Sequence, residues 1–426
     1  MKKLFLKMLA GLHGGGLELV CDGRSHYFGD PNAELQACLV VHQARFFRRA
    51  LLGGDMGMGE AYMDGDWSSP DLVALVRLAV RNLGQLESGN ALLSLATRLA
   101  DTLRHRLRPN TVSGSRKNIR AHYDLNNDFF RLFLDRSMMY SCAWYESASD
   151  SLETAQFQKL DRICRKLQLG PEDHVLEIGT GWGAFALHAS YHYGCKVTTT
   201  TISREQHDLA RSRFATEPGG ERIQLLFEDY RKLRGQYSKL VSIEMFEAVG
   251  FEFYDEFFGA CDRLLRPDGS MLIQTITIND QKFPTYRKRA DWIQKYIFPG
   301  SELASMSGVL ASLARATKLG LFHAEDMGQH YARTLAAWRE RFQSREEAVL
   351  ALGFDQRFLR MWDYYLAYCG GAFLERHISD VQLVLTKVGT PRPLMGEPWG
   401  ESSGESRAES RGELRAEPAV PEYREA

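Results

Sequence analysis

The sequence lacks a hydrophobic run long enough to span a bilayer, and it lacks the cysteine spacing of a zinc site. Its seven cysteines are odd in number, scattered, and contain no C-x-x-C pair. A marked excess of charge is also missing, since 53 basic residues stand against 54 acidic ones. These absences exclude a membrane-spanning helix and a disulfide framework, and they favour a reducing compartment. Lys7 interrupts the apolar stretch behind the basic start, so we expect a cytoplasmic protein rather than a secreted one.

Composition and periodicity divide the chain into four segments. Residues 1–95 mix short strand-like and helical pieces and predict a small N-terminal α+β domain. Residues 96–120 form a basic linker, for which attraction to an anionic surface and a solvated helix are both open. Because no aromatic side chains are interleaved there to stack bases, we expect no nucleic-acid partner. Residues 121–390 form the main domain, and the glutamate-, glycine- and proline-rich residues 391–426 predict a disordered acidic tail.

The main domain alternates between strand and helix patterns. Asp150 and Glu153 have capping-box spacing at the head of a first helix. Alternating strands and helices predict an α/β fold with a doubly wound, mostly parallel sheet, whose ligands bind beyond the carboxyl ends of the strands. The predicted strands are 174–178, 196–202, 223–228, 239–245 and 270–278, and the predicted helices are 183–192, one from 203, and 254–265.

A glycine-rich turn directly follows the first of these strands. Gly179, Gly181 and Gly183 alternate with other residues, unlike the G-x-G-x-x-G of dinucleotide sites. Glycines let the backbone approach a flat ligand closely, and Glu177 before them suits a ligand with an ammonium or sulfonium group. We therefore interpret the turn as an S-adenosylmethionine site, with an ordinary tight strand-to-helix turn as the alternative.

Several longer motifs lie in order around this turn. They are Ala121–Phe130, Met138–Trp144, Thr201–Gln206, Glu228–Arg231 and Ser242–Gly250. With these motifs, residues 116–388 resemble the cyclopropane-fatty-acyl-phospholipid synthase family, which includes the mycolic acid cyclopropane synthases. The resemblance implies a seven-stranded methyltransferase sheet with helical acyl-binding insertions. It also implies residues that bind S-adenosylmethionine in addition to Glu177, which are Tyr140, Ser141, Gly179, Gly181, Thr201, Gln206 and Tyr230.

The chemistry of this family requires stabilisation of a carbocation and then removal of a proton. Anions and aromatic faces stabilise such a cation, and Tyr140, Trp144, Tyr230 and Phe246 are candidate aromatics. The resemblance implies bicarbonate as the base. It assigns the bicarbonate contacts to the side chains of Glu247 and Tyr331 and to the backbone of Cys142 and Ile276.

Gln274 stands where the synthases of this family have a histidine. A carboxamide hydrogen-bonds an anion but cannot share its proton near neutrality, as imidazole does. Ring closure with altered pH dependence and loss of a different proton, giving a methylene- or methyl-branched chain, are both open. His122 is interpreted as structural.

The apolar insertion 281–315 contains Ile293, Ile297, Phe298, Leu303, Met306, Val309 and Leu310, which suit an acyl tunnel or plain core packing. Beside them, the Arg287–Arg289 run and Trp292 are candidates for contact with phospholipid headgroups, with a solvated helix face as the alternative.

The resemblance therefore predicts an enzyme that visits membranes and transfers a methyl group to the cis double bond of an unsaturated phospholipid acyl chain. Alternatives are a fatty-acid methyltransferase with a branched product, a methyltransferase of small molecules, and a lipid-binding protein without turnover. A homodimer is one assembly that the sequence allows.

Overall fold

The computed structural model describes residues 1–84, 126–288 and 290–390. The predicted basic linker 96–120, the tail 391–426, His122 and Arg289 therefore lie outside the described residues. Within them the strands are β1 (Gly16–Cys21), β2 (Arg24–Gly29), β3 (Gln36–Val41), β4 (Trp67–Ser68), β5 (His174–Ile178), β6 (Lys196–Thr200), β7 (Ile223–Leu226), β8 (Tyr237–Ile243), β9 (Leu265–Ile278), β10 (Gly320–Asp326) and β11 (Ile378–Thr386).

The helices of the same residues fall into an N-terminal group and a main-domain group. The first group is α1 (Lys2–Leu9), α2 (Arg45–Met63) and α3 (Leu72–Arg81). The second is α4 (Asn127–Arg131), α5 (Leu152–Leu167), α6 (Ala184–Tyr193), α7 (Arg204–Thr216), α8 (Tyr254–Leu264), α9 (Phe283–Tyr286), α10 (Trp292–Tyr296), α11 (Met306–Ala316), α12 (Gly328–Gln343), α13 (Glu346–Ala351) and α14 (Gln356–Leu374).

The main sheet has seven strands in the order β10-β11-β9-β8-β5-β6-β7. Neighbours from β9 to β7 are parallel, and β11 runs antiparallel between β10 and β9. The prediction of a doubly wound, mostly parallel sheet is confirmed. Helices cover both faces, so β5 is buried almost throughout, as a strand without a solvent face should be.

The start of α5 differs from the predicted capping box. Its N-cap is Ser151, whose hydroxyl accepts from the backbone N–H of Thr154. Asp150 lies one residue earlier, and its carboxylate instead accepts from the backbone N–H of Ser147. The capping-box prediction was wrong by one residue because Asp150 caps the preceding turn.

The small N-terminal domain consists of a four-stranded sheet, β2-β1-β3-β4, with helices α1 to α3. The domain packs on α14 through α3. Val76 of α3 lies so close to the backbone of Gly371 in α14 that a Cβ at position 371 would lie 2.7 Å from a Val76 methyl group. The Tyr62 hydroxyl donates to Asp363 at 2.7 Å, and Arg77 binds Glu375 at 2.7 Å. One apolar core therefore continues from this domain into helices α12 and α14.

In the part of the chain that the structure describes, no helix combines the length and apolar character needed to cross a membrane.

Candidate active site

The glycine turn lies between β5 and α6, at the carboxyl edge of the sheet. Gly179 has φ +104°, and a Cβ there would lie 3.0 Å from the Cβ of Met245. Gly181 has φ +52°, and a Cβ there would meet nothing within 4 Å. Gly179 is therefore required by packing and backbone, whereas Gly181 borders open space that a ligand can occupy.

Glu177, in β5, points into the same region although it is fully buried. Its carboxylate accepts from the Thr199 hydroxyl at 2.5 Å, and Thr199 also pairs with the Thr180 hydroxyl at 2.7 Å. Burial raises the pKa of Glu177 to about 8. A cationic ligand group nearby would favour the ionised form.

Polar groups from the neighbouring loops surround the glycine turn. The Thr201 hydroxyl donates to the Gln206 side chain at 2.8 Å, and both residues are buried. Tyr230 packs edge-on against Phe257 with its ring half-buried. These groups offer hydrogen-bonding atoms and an aromatic ring beside the turn.

One cavity of about 900 Å³ connects these groups with the rest of the site. Its volume is at the upper end of the range for small-molecule sites. All eight residues predicted to bind S-adenosylmethionine line it: Tyr140, Ser141, Glu177, Gly179, Gly181, Thr201, Gln206 and Tyr230.

The opposite end of the cavity is apolar and reaches into the N-terminal domain. Phe298 and Ile293 from the insertion line the middle of the cavity, next to Tyr365 of α14. Side chains of α1, β1, β3 and α3 line the far end, namely Phe5, Leu9, Leu17, Leu39, Leu75 and Leu78. The N-terminal domain, whose chemistry the sequence did not reveal, thus contributes walls to the same cavity.

Between the two ends lies Glu244, which directly follows β8. Its carboxylate accepts three hydrogen bonds, from the Cys142 backbone N–H at 2.7 Å, the Gln274 amide at 2.8 Å and the Tyr331 hydroxyl at 2.6 Å. Its backbone adopts φ +47°, a left-handed conformation that disfavours side chains. Glu244 lines the cavity.

Glu247 lies one short turn further on and also lines the cavity. One carboxylate oxygen accepts from the Thr275 hydroxyl at 2.9 Å and from the Ile276 backbone N–H. The other oxygen is buried and has no hydrogen-bond partner among the described residues. Burial, and then the charge of Glu244, raise the pKa of Glu247 to about 7.

Asp380, on the antiparallel strand β11, is a third buried carboxylate. It accepts from the Gln274 amide at 2.8 Å, and burial together with the charge of Glu244 raises its pKa well above the usual value. Lys159 of α5 is the buried cation of this region, and its ammonium donates to the Ser141 hydroxyl at 2.8 Å. Burial lowers the pKa of Lys159 to about 8.

The structure brings the residues of the predicted anion site together and places a carboxylate of the chain, that of Glu244, among their donors. Glu247, Tyr331, Cys142 and Ile276 do lie together, but the donors of Cys142 and Tyr331 bind Glu244 rather than converging with Glu247 on one empty position. The Gln274 amide is likewise held by Glu244 and Asp380. The Cys142 thiol is buried and its pKa is raised, so it is not a nucleophile.

Several other predicted positions do not reach the cavity. Trp144 stacks on His330 at 4.0 Å, with Arg162 over its other face. Phe246 is buried against Tyr254 at 4.4 Å. Tertiary packing, which local sequence does not reveal, has buried Phe246 in the core and placed the half-buried Trp144 against core residues.

Only some of the apolar residues in the insertion 281–315 line the cavity. Ile293, Phe298 and Leu303 line the cavity, whereas Ile297 and Val309 are core residues, Met306 packs against the core and Leu310 is exposed. The Arg287 side chain binds Glu302 at 2.8 Å and Glu252 at 2.9 Å, and Trp292 is fully buried. Contact of Trp292 with headgroups is therefore a wrong prediction, because its side chain is fully buried, whereas contact of Arg287 stays a prediction.

The sequence analysis missed Glu244 and Asp380. A polar residue at the carboxyl end of a buried strand was a usable signal for Glu244. For Asp380 the signal was an acid inside the apolar stretch 378–386, since a buried charge in a central strand requires a partner or a role.

Comparison with known proteins identifies relatives over most of the chain. The model of the family described as mycolic acid cyclopropane synthetase matches residues 111–383. Tuberculostearic acid methyltransferase UfaA1 of Mycobacterium tuberculosis is 37% identical over 378 residues, covering 87% of this chain and 87% of that protein. The cyclopropane-fatty-acyl-phospholipid synthase of Escherichia coli K12 is 38% identical over 372 residues, covering 84% and 89%.

Solved structures show the same relationship for the main domain. Mycolic acid cyclopropane synthase CmaA1, complexed with SAH and CTAB, matches with a TM-score of 0.60 and 32% identity. The match covers 64% of this chain and 98% of that one. Cyclopropane synthase MmaA2 of Mycobacterium tuberculosis matches with the same TM-score at 31% identity, covering 64% and 98%.

Proposed function

This chain belongs to the mycolic acid cyclopropane synthetase family of S-adenosylmethionine-dependent methyltransferases, and from that premise we propose that it methylates the cis double bond of an unsaturated phospholipid acyl chain, forming a cyclopropane. The observation that carries the proposal is a single cavity with a glycine-turn end, buried carboxylates in its middle and a long apolar end. A methyltransferase of small polar molecules would not need that apolar end.

The residues at the glycine turn fit S-adenosylmethionine. Gly181 opens onto free space, Glu177 offers a buried acid for a cationic group, and Thr201 and Gln206 offer hydrogen bonds. When bound, S-adenosylmethionine supplies an electrophilic methyl group. The protein holds the alkene in line with that methyl group and excludes water, which would otherwise trap the product cation.

The middle of the cavity suits a positive charge on the acyl chain. Glu244 and Glu247 line this part, and Tyr140 adds an aromatic face close to Phe298. A carboxylate about 4 Å from a cation contributes about 4 kcal/mol at an effective dielectric constant of about 20. Two such groups would account for a large part of the stabilisation that an alkene-derived cation needs.

Bicarbonate, which the family resemblance implied as the base, does not fit the donors of this chain. The Cys142 N–H and the Tyr331 hydroxyl are taken by Glu244, and Gln274 binds two carboxylates. A free anion would have to displace Glu244 and settle among the buried acids. No step of the proposed reaction is therefore assigned to bicarbonate.

A direct test uses methyl-labelled S-adenosylmethionine, vesicles of a cis-monounsaturated phospholipid, and mass spectrometry of the released acyl chains. We expect a mass gain of one methylene group with loss of the double bond. Vesicles of the saturated phospholipid serve as the control and should remain unlabelled. Labelling of saturated chains, or no labelling of either lipid, would refute the proposal.

A second product has an observation in its favour. Gln274 stands where the resemblance implies a histidine and is hydrogen-bonded to Glu244, and loss of a proton from a chain carbon instead of the new methyl group would give a methyl-branched chain with one double bond. The two products have the same mass, and spectra taken after mild hydrogenation separate them, because hydrogenation removes the double bond of the branched chain.

Membrane association is the remaining part of the proposal. The apolar end of the cavity must receive an acyl chain that resides in a bilayer, so the protein has to visit a lipid surface. Sedimentation with the same vesicles tests this step; protein that stays in the supernatant at every lipid concentration, while methylating a free fatty acid, would assign a soluble substrate instead.

A further inference from the structure

We propose that Glu244 is the proton acceptor of this enzyme, a carboxylate built into the chain where its relatives would recruit an anion from solution. The inference rests on the proposed methyl transfer to an alkene. It assigns a catalytic role to a residue outside the set that the family resemblance implied.

The first argument is the set of donors around the Glu244 carboxylate. Two of the groups expected to hold the anion, the Cys142 N–H and the Tyr331 hydroxyl, bind Glu244 at 2.7 and 2.6 Å. The Gln274 amide, at the position of the expected histidine, binds it at 2.8 Å. Three donors from distant parts of the chain thus converge on a carboxylate, but the carboxylate belongs to the protein.

The second argument is the backbone at Glu244. Its φ of +47° lies in the region that glycine adopts freely and that other residues enter at a cost. Such strain is commonly retained at functional sites, where it aims a side chain. Here the conformation directs the carboxylate from the end of β8 to its donors beside the cavity.

The third argument is the charge around this position. Asp380 and Glu247 are both buried and close enough for the charge of Glu244 to raise their pKa values. A soluble anion would have to enter beside these acids. A carboxylate fixed by the fold occupies the position without an entropic cost of capture.

The step balances without another reactant. Methyl transfer leaves a cation on the acyl chain. The Glu244 carboxylate then takes a proton either from the new methyl group, which is bonded to the carbon beside the cationic centre, or from a chain carbon next to that centre. The electrons of that C–H bond form either the third bond of the ring or a new double bond. Glu244 ends as a neutral carboxylic acid and returns its proton to solvent before the next turnover.

The decisive variant is Glu244→Gly, which removes the carboxylate, relieves the backbone and frees all three donors. In buffer purged of carbon dioxide, we expect the wild type to keep its activity and the variant to lose about 100-fold or more, the usual contribution of a general base. Added bicarbonate or formate should restore activity to the variant and leave the wild type unchanged. Glu247→Ala is the matched control, since its loss of activity should not be rescued by either anion.

A binding measurement tests the inference independently of turnover. Carbon-13-labelled bicarbonate, observed by NMR with the demethylated cofactor product present, should bind to Glu244→Gly and not to the wild type. Saturable binding to the wild type, or a wild type that needs bicarbonate for activity, would overturn the inference while leaving the methyltransferase proposal intact. A wild type that methylates no lipid but still excludes bicarbonate would refute the proposed function alone. A variant that stays fully active without added anions would refute the role of Glu244.

Discussion

Lys159 offers the sharpest test of the electrostatics of the site. Its ammonium is fully buried, donates to Ser141, and lowers the pKa values of Glu177, Glu244 and Asp380. Lys159→Met keeps most of the side-chain volume and removes the charge. Leaving an ionised buried carboxylate without its partner costs about 3–5 kcal/mol, so we expect the loss in the free energy of unfolding to approach this size toward about pH 8, where Glu177 ionises.

The pH dependence of that loss has a definite sign. The folded-state pKa values of Glu177 and Glu247 are raised to about 8 and about 7, from an ordinary value of 4.5. Between about pH 4.5 and 7 the folded protein therefore binds more protons than the unfolded chain, and its stability falls as the pH rises. Without Lys159 the pKa of Glu177 rises further, so the decline should extend to higher pH. Below about pH 4.5 the acids are protonated in both states and the buried Lys159 ammonium has no ionised partner, so the loss of stability in the variant should disappear or reverse.

Urea unfolding followed by far-ultraviolet circular dichroism, at several pH values between about 4.5 and 8, measures both quantities. Lys159→Arg is the control that keeps the charge, although its larger head tests packing at the same time. A difference between Lys159→Met and wild type that stays constant across this pH range would refute the electrostatic explanation. It would then reflect lost packing and the lost hydrogen bond to Ser141.

Three further predictions concern single side chains. In Gly181→Ala the positive φ costs about 1–2 kcal/mol of stability, and because the new methyl group faces the open cavity we expect calorimetry to show a weaker affinity for S-adenosylmethionine; an unchanged affinity would contradict the cofactor assignment. Glu247→Gln should lower turnover by about 100-fold while sparing cofactor binding. In a pH–rate profile the wild-type rate should rise through about pH 7 as Glu247 ionises, and the variant should lack this rise. Tyr62→Phe removes the hydrogen bond to Asp363 and should lower the free energy of unfolding by about 2 kcal/mol, which thermal unfolding would register; an unchanged midpoint would show that this contact contributes nothing.

The local pattern of apolar and polar residues was sufficient to predict the central strands of the main sheet. The strand-like pattern of residues 174–178 and the glycines after it predict β5 and its turn. Both the strand pattern and the backbone freedom of glycine depend only on the local sequence. The edges of the elements were less well placed. The predicted strand 239–245 ends at Ile243, since Glu244 leaves the ladder in a left-handed conformation that no propensity anticipates.

The centre of the site could not be predicted in the same way. The donors of Glu244 lie 102 and 87 residues away in the sequence, at Cys142 and Tyr331, so only the folded chain shows that they share one acceptor. The motif resemblance identified residues that do lie near one another. It assigned the hydrogen bonds of Cys142 and Tyr331 to a bound anion, whereas in the structure they bind Glu244. The sequence did not predict the positions of Trp144 and Phe246 for the same reason. Contacts with residues distant in sequence determine whether an aromatic ring faces a cavity or packs against the core.

The close contact between Val76 and Gly371 has a consequence for how the protein unfolds. Helices α3 and α14 meet with no room for a side chain at Gly371, and the apolar core runs through that contact without a break. The N-terminal domain and the main domain cannot separate without exposing a large apolar surface to water. Heating should therefore melt both parts in one cooperative event, and a protease cut in the connecting chain should leave the two fragments associated.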